Sequence, residues 1–263
     1  MDYFKKYLKA KKEYLLLKQI GGGSRKYWKT FQHNGPMFPP EYETHGIKLL
    51  YKGKPIDLTP EQEEVATLYA AMTETEYITN SKFNSNFWTD FKKVLGKNHE
   101  IQNLQDCNFK KIYNNILKKR EQRKNLSKEE KLKLKEEREE KQAKYKIAIV
   151  DGQEQKVGNF TIEPPGLFRG RGCHPLMGKL KKRITHKDIT LNLSKDAIVP
   201  EGNWGKIIHD PNSAWLASWK DTITNKTKYV WLGDSSSFKQ ESDKAKFELA
   251  RKLKRKIKLI RKN

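Results

Sequence analysis

The chain has 263 residues and a formal charge of +23, from 55 Lys and Arg against 32 Asp and Glu, with 35% hydrophobic and 11% aromatic residues. A surplus this large repels itself in a compact fold, so it points to a polyanion, with nucleic acid ahead of an anionic membrane or a merely basic, inert surface. No run of about eighteen apolar residues exists to cross a bilayer, and the opening residues lack the apolar stretch of a secretory signal.

Residues 1–20 carry a lysine-rich pattern able to form a helix, and Gly21-Gly22-Gly23-Ser24 fits a flexible linker. Residues 1–24 therefore read as a basic arm on a body spanning 25–241. From Trp28 the chain is aromatic and proline-rich, and Pro36, Pro39 and Pro40 exclude a helix in favour of an extended segment. Residues 47–58, IKLLYKGKPIDL, place two short apolar runs around Lys52-Gly53 and predict a β-hairpin. Thr59-Pro60-Glu61-Gln62 starts a helix with a capping box, and Val65, Leu68, Tyr69 and Met72 share one face. A second helix is predicted from Lys82 to Leu95; its Phe83, Phe87, Trp88 and Phe91 read as core rather than as a binding stripe. These elements suggest a helical insert over 45–120.

Residues 110–146 hold fifteen Lys and Arg against seven Asp and Glu, a local charge of +8. Ser127 with Glu130 forms a second capping box, which splits the region into two helices meeting near Asn125. Apolar residues are sparse there, so the pair is expected to project from the body, with its positive charge favouring a phosphate-facing role. After Tyr145 the pattern turns to strands: KIAIVDG, VGNFTIEPP, ITLNLS, AWLASW and KYVWLG. A last helix is expected over 242–263, with Phe247, Ala250, Leu253, Ile257 and Ile260 on one face and cations on the other. Its pattern is still strong at Asn263, as if more protein should follow. The fold class expected is α+β, a strand-rich body with an inserted helical part.

No catalytic constellation emerges. His209-Asp210 lacks further metal ligands, the other histidines are scattered, and Gly170-Arg171-Gly172 is too short to cradle a nucleotide. Cys107 and Cys173 have neither metal-ligand nor CxxC spacing and fit a reducing compartment, cytosol or nucleus. The informative stretch is residues 163–183, EPPGLFRGRGCHPLMGKLKKR. Its Pro-Pro-Gly and Gly-Arg-Gly order makes a loop of tight turns whose backbone can approach a ligand closely. Arg169, Arg171, Lys179, Lys181, Lys182 and Arg183 are threaded through it, and arginine on such a loop can enter a groove or fork onto phosphate. Phe168 is expected to anchor the loop from beneath.

Taken together, HNGPMFPPEY, EEVAT, SKEEKLKLKEE, VGNFTIEPPGLFRGRGCHP, GKLKKRI, LNLSKDA, WLASW and KYVWL resemble the eukaryotic type IB DNA topoisomerases, in the same order and over roughly residues 25–260. The resemblance implies the non-catalytic lobe of a clamp that closes around duplex DNA in the nucleus, with residues 110–146 as its projecting helix pair. It implies backbone or groove contacts for Arg123, Asn159, Arg169, Arg171, Lys181, Trp215, Lys228, Tyr229 and Lys246, with Arg171 reaching into the minor groove. Trp215 also has a plain alternative as a core tryptophan. Leu176 stands where the family commonly has a lysine that latches the loop to the opposite lobe, Cys173 replaces a usually small or polar residue, and the turn VPEGNWG is shorter than in relatives. The family's catalytic tyrosine and its Arg, Lys and His partners lie downstream, so no catalytic residue is assigned. The implied partner is duplex DNA, with no metal or nucleotide cofactor and no membrane. A non-catalytic DNA or RNA accessory protein and one subunit of a split topoisomerase are the rival readings.

Overall fold

The computed structural model describes residues 28–236, together with helical residues 247, 248, 250–252, 254 and 255 near the C-terminus. The arm 1–24 and Lys246 lie outside the described residues, as does most of the expected helix 242–263. Of that helix's expected apolar face, Phe247 is described and is exposed.

The proline-rich opening is extended. It forms β1 (Phe31–His33), then a single bridge from Met37 to Thr161. The hairpin lies where expected, with β2 (Leu49–Tyr51) antiparallel to β3 (Lys54–Ile56). Lys52 and Gly53 both take positive φ, 49° and 80°. That is the backbone twist a two-residue hairpin turn needs, and glycine supplies its second position without a steric cost. Helix α1 (Pro60–Ala70) starts at the Thr59 cap, with both halves of the Thr59–Gln62 capping box formed. Helix α2 (Ser81–Leu95) is capped by Asn80 and buries Phe83, Phe87, Phe91 and Leu95 at four-residue spacing. Tyr69 of α1 stacks on Phe87 with centroids 4.2 Å apart. Burial of each such side chain is worth roughly 1.5–3 kcal/mol, so this aromatic face is core, as the spacing implied.

After the short β4 (Cys107–Asn108), helix α3 (Lys110–Asn125) buries only Ile112 and Tyr113 in its first turns. Helix α4 (Lys128–Ala143) follows from the Ser127–Glu130 capping box and buries no residue. Leu132 and Leu134 are more than half exposed.

The strand-rich part contains two larger sheets. β1 pairs with β5 (Ile147–Val150), which pairs with β6 (Gln153–Lys156). The second sheet has the order β10-β9-β11-β12, from β9 (Thr190–Asn192), β10 (Lys206–Ile208), β11 (Trp215–Lys220) and β12 (Thr227–Trp231). β9 and β10 run parallel, while the other neighbours are antiparallel. A two-stranded ladder joins β7 (Gly166–Leu167) to β8 (Leu180–Lys181). The molecule is thus mixed α and β, with several small and mostly antiparallel sheets.

One expectation needs correction, and one strand has no counterpart among the expected elements. VGNFTIEPP is not a strand; it makes only isolated bridges at Val157 and Thr161. Its backbone groups go instead to Met37, which donates to the Phe160 carbonyl and accepts from Ile162, and Pro164 and Pro165 cannot donate to a ladder. The strand lies just before it, at polar β6, which exists because Asp151-Gly152 turns the chain back onto β5 with φ of 50° and 78°. The parallel strand β10 was not anticipated, because the short run Lys206-Ile207-Ile208 carries no alternating pattern.

Two apolar cores result. One gathers α1, α2, the β2 hairpin and the start of α3, and takes in Met177 and Leu180 from beyond them in sequence. The other lies among the strands, around Trp28, Phe31, Ile162, Leu191, Leu193, Leu216 and Trp219. His33 sits in the second core with Nε2 at 3.0 Å from the Asn192 carbonyl. Burial pulls its pKa down to about 4, so it is neutral near pH 7.

Candidate nucleic-acid interface

The loop between β7 and β8 begins at a stiff corner. Glu163 precedes Pro164 and Pro165, so its own backbone is confined to extended values and the next two φ angles are fixed. The loop leaves β7, carries Arg169 and Arg171 outward, and returns through Gly178 to β8. The Phe168 N–H donates to the Lys179 carbonyl at 2.9 Å, and the Gly178 N–H to the Phe168 carbonyl at 2.7 Å, closing its neck. Phe168 is half-buried and meets His174 edge-on, with centroids 4.9 Å apart, in keeping with its expected anchoring role.

Helix α2 holds this neck from outside. The Asn86 side-chain amide donates to the carbonyls of Pro175 and Met177 at 2.9 and 2.8 Å. Asp90 accepts from the Leu180 N–H at 3.2 Å and from Lys179 Nζ at 3.3 Å. Gly178, at φ 82°, lies so close to Phe83 that a Cβ would collide with its backbone. A residue with a side chain would be strained there both by its φ and by the helix. Asn86, Asp90 and Gly178 are functional in this sense and were missed: they look like surface helix positions and an ordinary loop glycine until the tertiary contact is known.

The six cations of residues 163–183, equivalent in sequence, are sorted by the fold. Arg183 is structural: it donates to the Pro40 carbonyl at 2.8 Å and pairs with Glu64 at 2.6 Å. Lys179 is held by Asp90. Lys181 meets Glu163. Arg169, Arg171 and Lys182 are exposed, and no ion pair among the described residues engages them. Arginine left unpaired on a held loop is available to an outside anion.

Lys181 lies beside Lys228 of β12. Lys228 Nζ is 2.8 Å from Glu163 Oε2 and 3.0 Å from Asp221 Oδ2. Burial and the neighbouring Lys228 ammonium pull Lys181 down to about 8, against the opposing effect of Asp221. Burial would raise the Asp221 carboxyl. Hydrogen bonds from the Thr224 N–H, Lys228, the Thr224 hydroxyl and the Ile223 N–H outweigh it and hold the group well below the usual carboxylate range.

Along β12 the alternation of KYVWL buries Val230 and exposes Tyr229 and Trp231. Trp215 of β11 is half-buried and meets Tyr229 edge-on at 5.6 Å; Tyr229 lies 5.4 Å from Trp231. Trp215 is therefore not the core tryptophan of this strand; Trp219 is. Trp231 extends the predicted pair into a strip of three rings, and the same period-two pattern that exposed Tyr229 could have found it. Asn159 is exposed at the adjoining corner, where the Gly158 N–H donates to the Trp231 carbonyl at 2.8 Å.

Arg169, Arg171, Lys181 and Lys228 are thus linked through β7–β8 and the Glu163 ion pairs, whereas Tyr229, with Trp215 and Trp231, alternates onto the opposite face of β12 from Lys228, and Asn159 adjoins Trp231. Arg123 stands apart, exposed on α3, with no hydrogen bond or ion pair to this group among the described residues. His209-Asp210 is structural: His209 Nδ1 meets the Leu193 carbonyl, and Asp210 accepts from the Ser213 hydroxyl. A cleft of about 1090 Å³ in the helical part is lined by Thr73, Asn84, Trp88, Asn108 and Tyr113 among others. Burial and nearby Asp106 push the Cys107 thiol in it up to about 12, unsuited to a nucleophile. Among the described residues no cluster of His, Cys, Asp and Glu could hold a metal ion, and no helix is long and apolar enough to cross a membrane.

Comparison with known proteins agrees with the resemblance. The chain is 53% identical over 246 residues to DNA topoisomerase 1 beta of Arabidopsis thaliana, covering 91% of this chain and 27% of the relative. It is 48% identical to DNA topoisomerase 1 of Candidozyma auris, over 89% of this chain and 33% of the relative. It is 43% identical to the mitochondrial DNA topoisomerase I of Homo sapiens, over 86% of this chain and 39% of the relative. The chain therefore spans about a quarter to two fifths of the length of these relatives. Residues 26–232 match the family described as eukaryotic DNA topoisomerase I, DNA binding fragment, and the chain belongs to that family.

Proposed function

We propose that this chain binds duplex DNA as the clamp lobe of a type IB topoisomerase and carries none of the catalytic residues. The observation that carries the reading is the basic loop just described: two exposed arginines with no ion pair among the described residues, held by α2, with the Lys181–Lys228 pair at the loop's root; the aromatic strip, on the other face of β12 from Lys228, is a second contact region. Arg169 and Arg171 reach the groove or its phosphates, Lys181 and Lys228 neutralise backbone phosphates, and Trp215, Tyr229 and Asn159 donate hydrogen bonds to backbone oxygens. Arg123, and Lys246 outside the described residues, add peripheral phosphate contacts. Binding of this kind is tolerant of sequence and sensitive to salt, because each phosphate neutralised releases counterions. In a complete enzyme the lobe would hold DNA in the nucleus while one strand is nicked and rejoined, a reaction for which this reading calls for no metal or nucleotide.

The test is duplex binding by fluorescence anisotropy across a salt series, alongside relaxation of supercoiled plasmid. Salt-dependent binding without relaxation is expected, and Arg171→Ala and Lys181→Ala should each weaken binding and flatten the salt slope by about one unit. Unchanged affinity and slope in both variants would place DNA elsewhere. Relaxation by the chain alone would overturn the non-catalytic reading, whereas relaxation only after adding a separate catalytic chain would identify a split enzyme.

A further inference from the structure

Lys181 and Lys228 form a two-ammonium seat, and the anion in it is the chain's own Glu163 carboxylate. The two acids around the seat differ in kind. Asp221 is buried, receives the Ile223 and Thr224 N–H groups as well as Lys228, and is built into the turn between β11 and β12. Glu163 is 53% exposed at its side chain, and its only ion pairs among the described residues are with the two lysines. Its position is nonetheless restricted, because it precedes Pro164 and Pro165 at the root of the arginine loop. Two lysines this close repel each other and need a shared anion; a carboxylate and a phosphodiester each present oxygens with one negative charge. The buried aspartate is a permanent partner, and the exposed glutamate an exchangeable one.

We propose that Glu163 occupies the seat of a DNA phosphate in the free protein and must be displaced for Lys181 and Lys228 to engage the duplex, so that it competes with DNA and lowers its affinity. The proposal rests on the DNA-binding reading above and deepens it. Glu163 keeps the lysine pair together and neutralised until a phosphate replaces it.

The experiment measures duplex affinity of the full chain in low and moderate salt for the wild type, Glu163→Gln, Glu163→Ala, the Lys181→Ala/Lys228→Ala double variant, and that double variant combined with Glu163→Gln. Exposed Glu76, which has no ion pair among the described residues, supplies the control Glu76→Gln for the unit gain in net charge. Glu163→Gln and Glu163→Ala should bind about twofold to fivefold more tightly than the control, the scale of one exposed ion pair released. That gain should vanish when the two lysines are absent. A gain no larger than that of Glu76→Gln, or one that persists without the lysines, overturns the proposal while leaving the DNA-binding reading intact. Removal of both lysines without loss of duplex affinity would instead sink the DNA-binding reading at this surface.

Discussion

The loop of residues 163–183 and the helix pair of residues 110–146 are both dense in Lys and Arg, yet the fold treats their charges in opposite ways. On the loop, each cation has an assigned place: Arg183 and Lys179 tie it to α1 and α2, Lys181 shares Glu163 with Lys228, and Arg169, Arg171 and Lys182 have no ion pair among the described residues. On α4, no residue is buried, and the ion pair between Lys135 and Glu139 is a loose 3.9 Å contact along the helix surface. Such pairs are worth little in water. Local charge thus identifies a basic region without saying which cations are held in a fixed geometry. Affinity should depend on single residues in the loop, and on total charge in the helix pair.

The largest effect expected to separate the two regions is at Gly178. Gly178→Val should destabilise the protein by roughly 3 kcal/mol or more, because the position combines positive φ with backbone contact to Phe83; chemical denaturation measures this. A loss below 1 kcal/mol would mean that α2 does not hold the loop. Next, Arg171→Ala should weaken duplex binding about tenfold and Arg123→Ala only about threefold, although each removes one charge. Equal losses would erase the distinction between positioned and merely accumulated charge. A pH series sharpens it further. Lys181 in the free protein sits at about 8. A DNA phosphate replaces the Glu163 carboxylate but brings the field of its neighbouring phosphates with it, which favours the charged form further, so binding takes up a proton and affinity should fall as pH rises through 8 toward 9. Lys181→Arg should abolish that fall, and no substitution of a lysine on α4 should. The smallest effect is expected at Leu134, 53% exposed: Leu134→Ser should change stability by no more than about 0.5 kcal/mol.

Much of the local structure was legible because it depends on neighbours in sequence. Thr59 with Gln62 and Ser127 with Glu130 formed their capping boxes, Lys52-Gly53 made its turn, and Phe83, Phe87 and Phe91 packed inward. Strand limits were less legible. The alternation around Val157–Ile162 makes one bridge to Met37 and one to Leu232, whereas polar β6 was imposed by the Asp151-Gly152 turn and by β5, which offered it a ladder. Of the candidate interface, the arginine loop could be picked out from residues alone, whereas Tyr229 entered only through the family resemblance. The clasp by Asn86 and Asp90 could not, since those partners lie some ninety residues from the loop they hold.

By itself the sequence determined the family, the helix starts at Thr59 and Ser127, the tight turn at Lys52-Gly53 and the concentration of positive charge, all set by short-range chemistry or by the order of motifs. Only the tertiary structure decided which cations are tied to the scaffold, which share an anion and which are open to a partner. The physical reason is that an ammonium or guanidinium reaches only a few ångströms. Its role is fixed by the acid, carbonyl or second cation that folding brings within that reach, from anywhere in the chain.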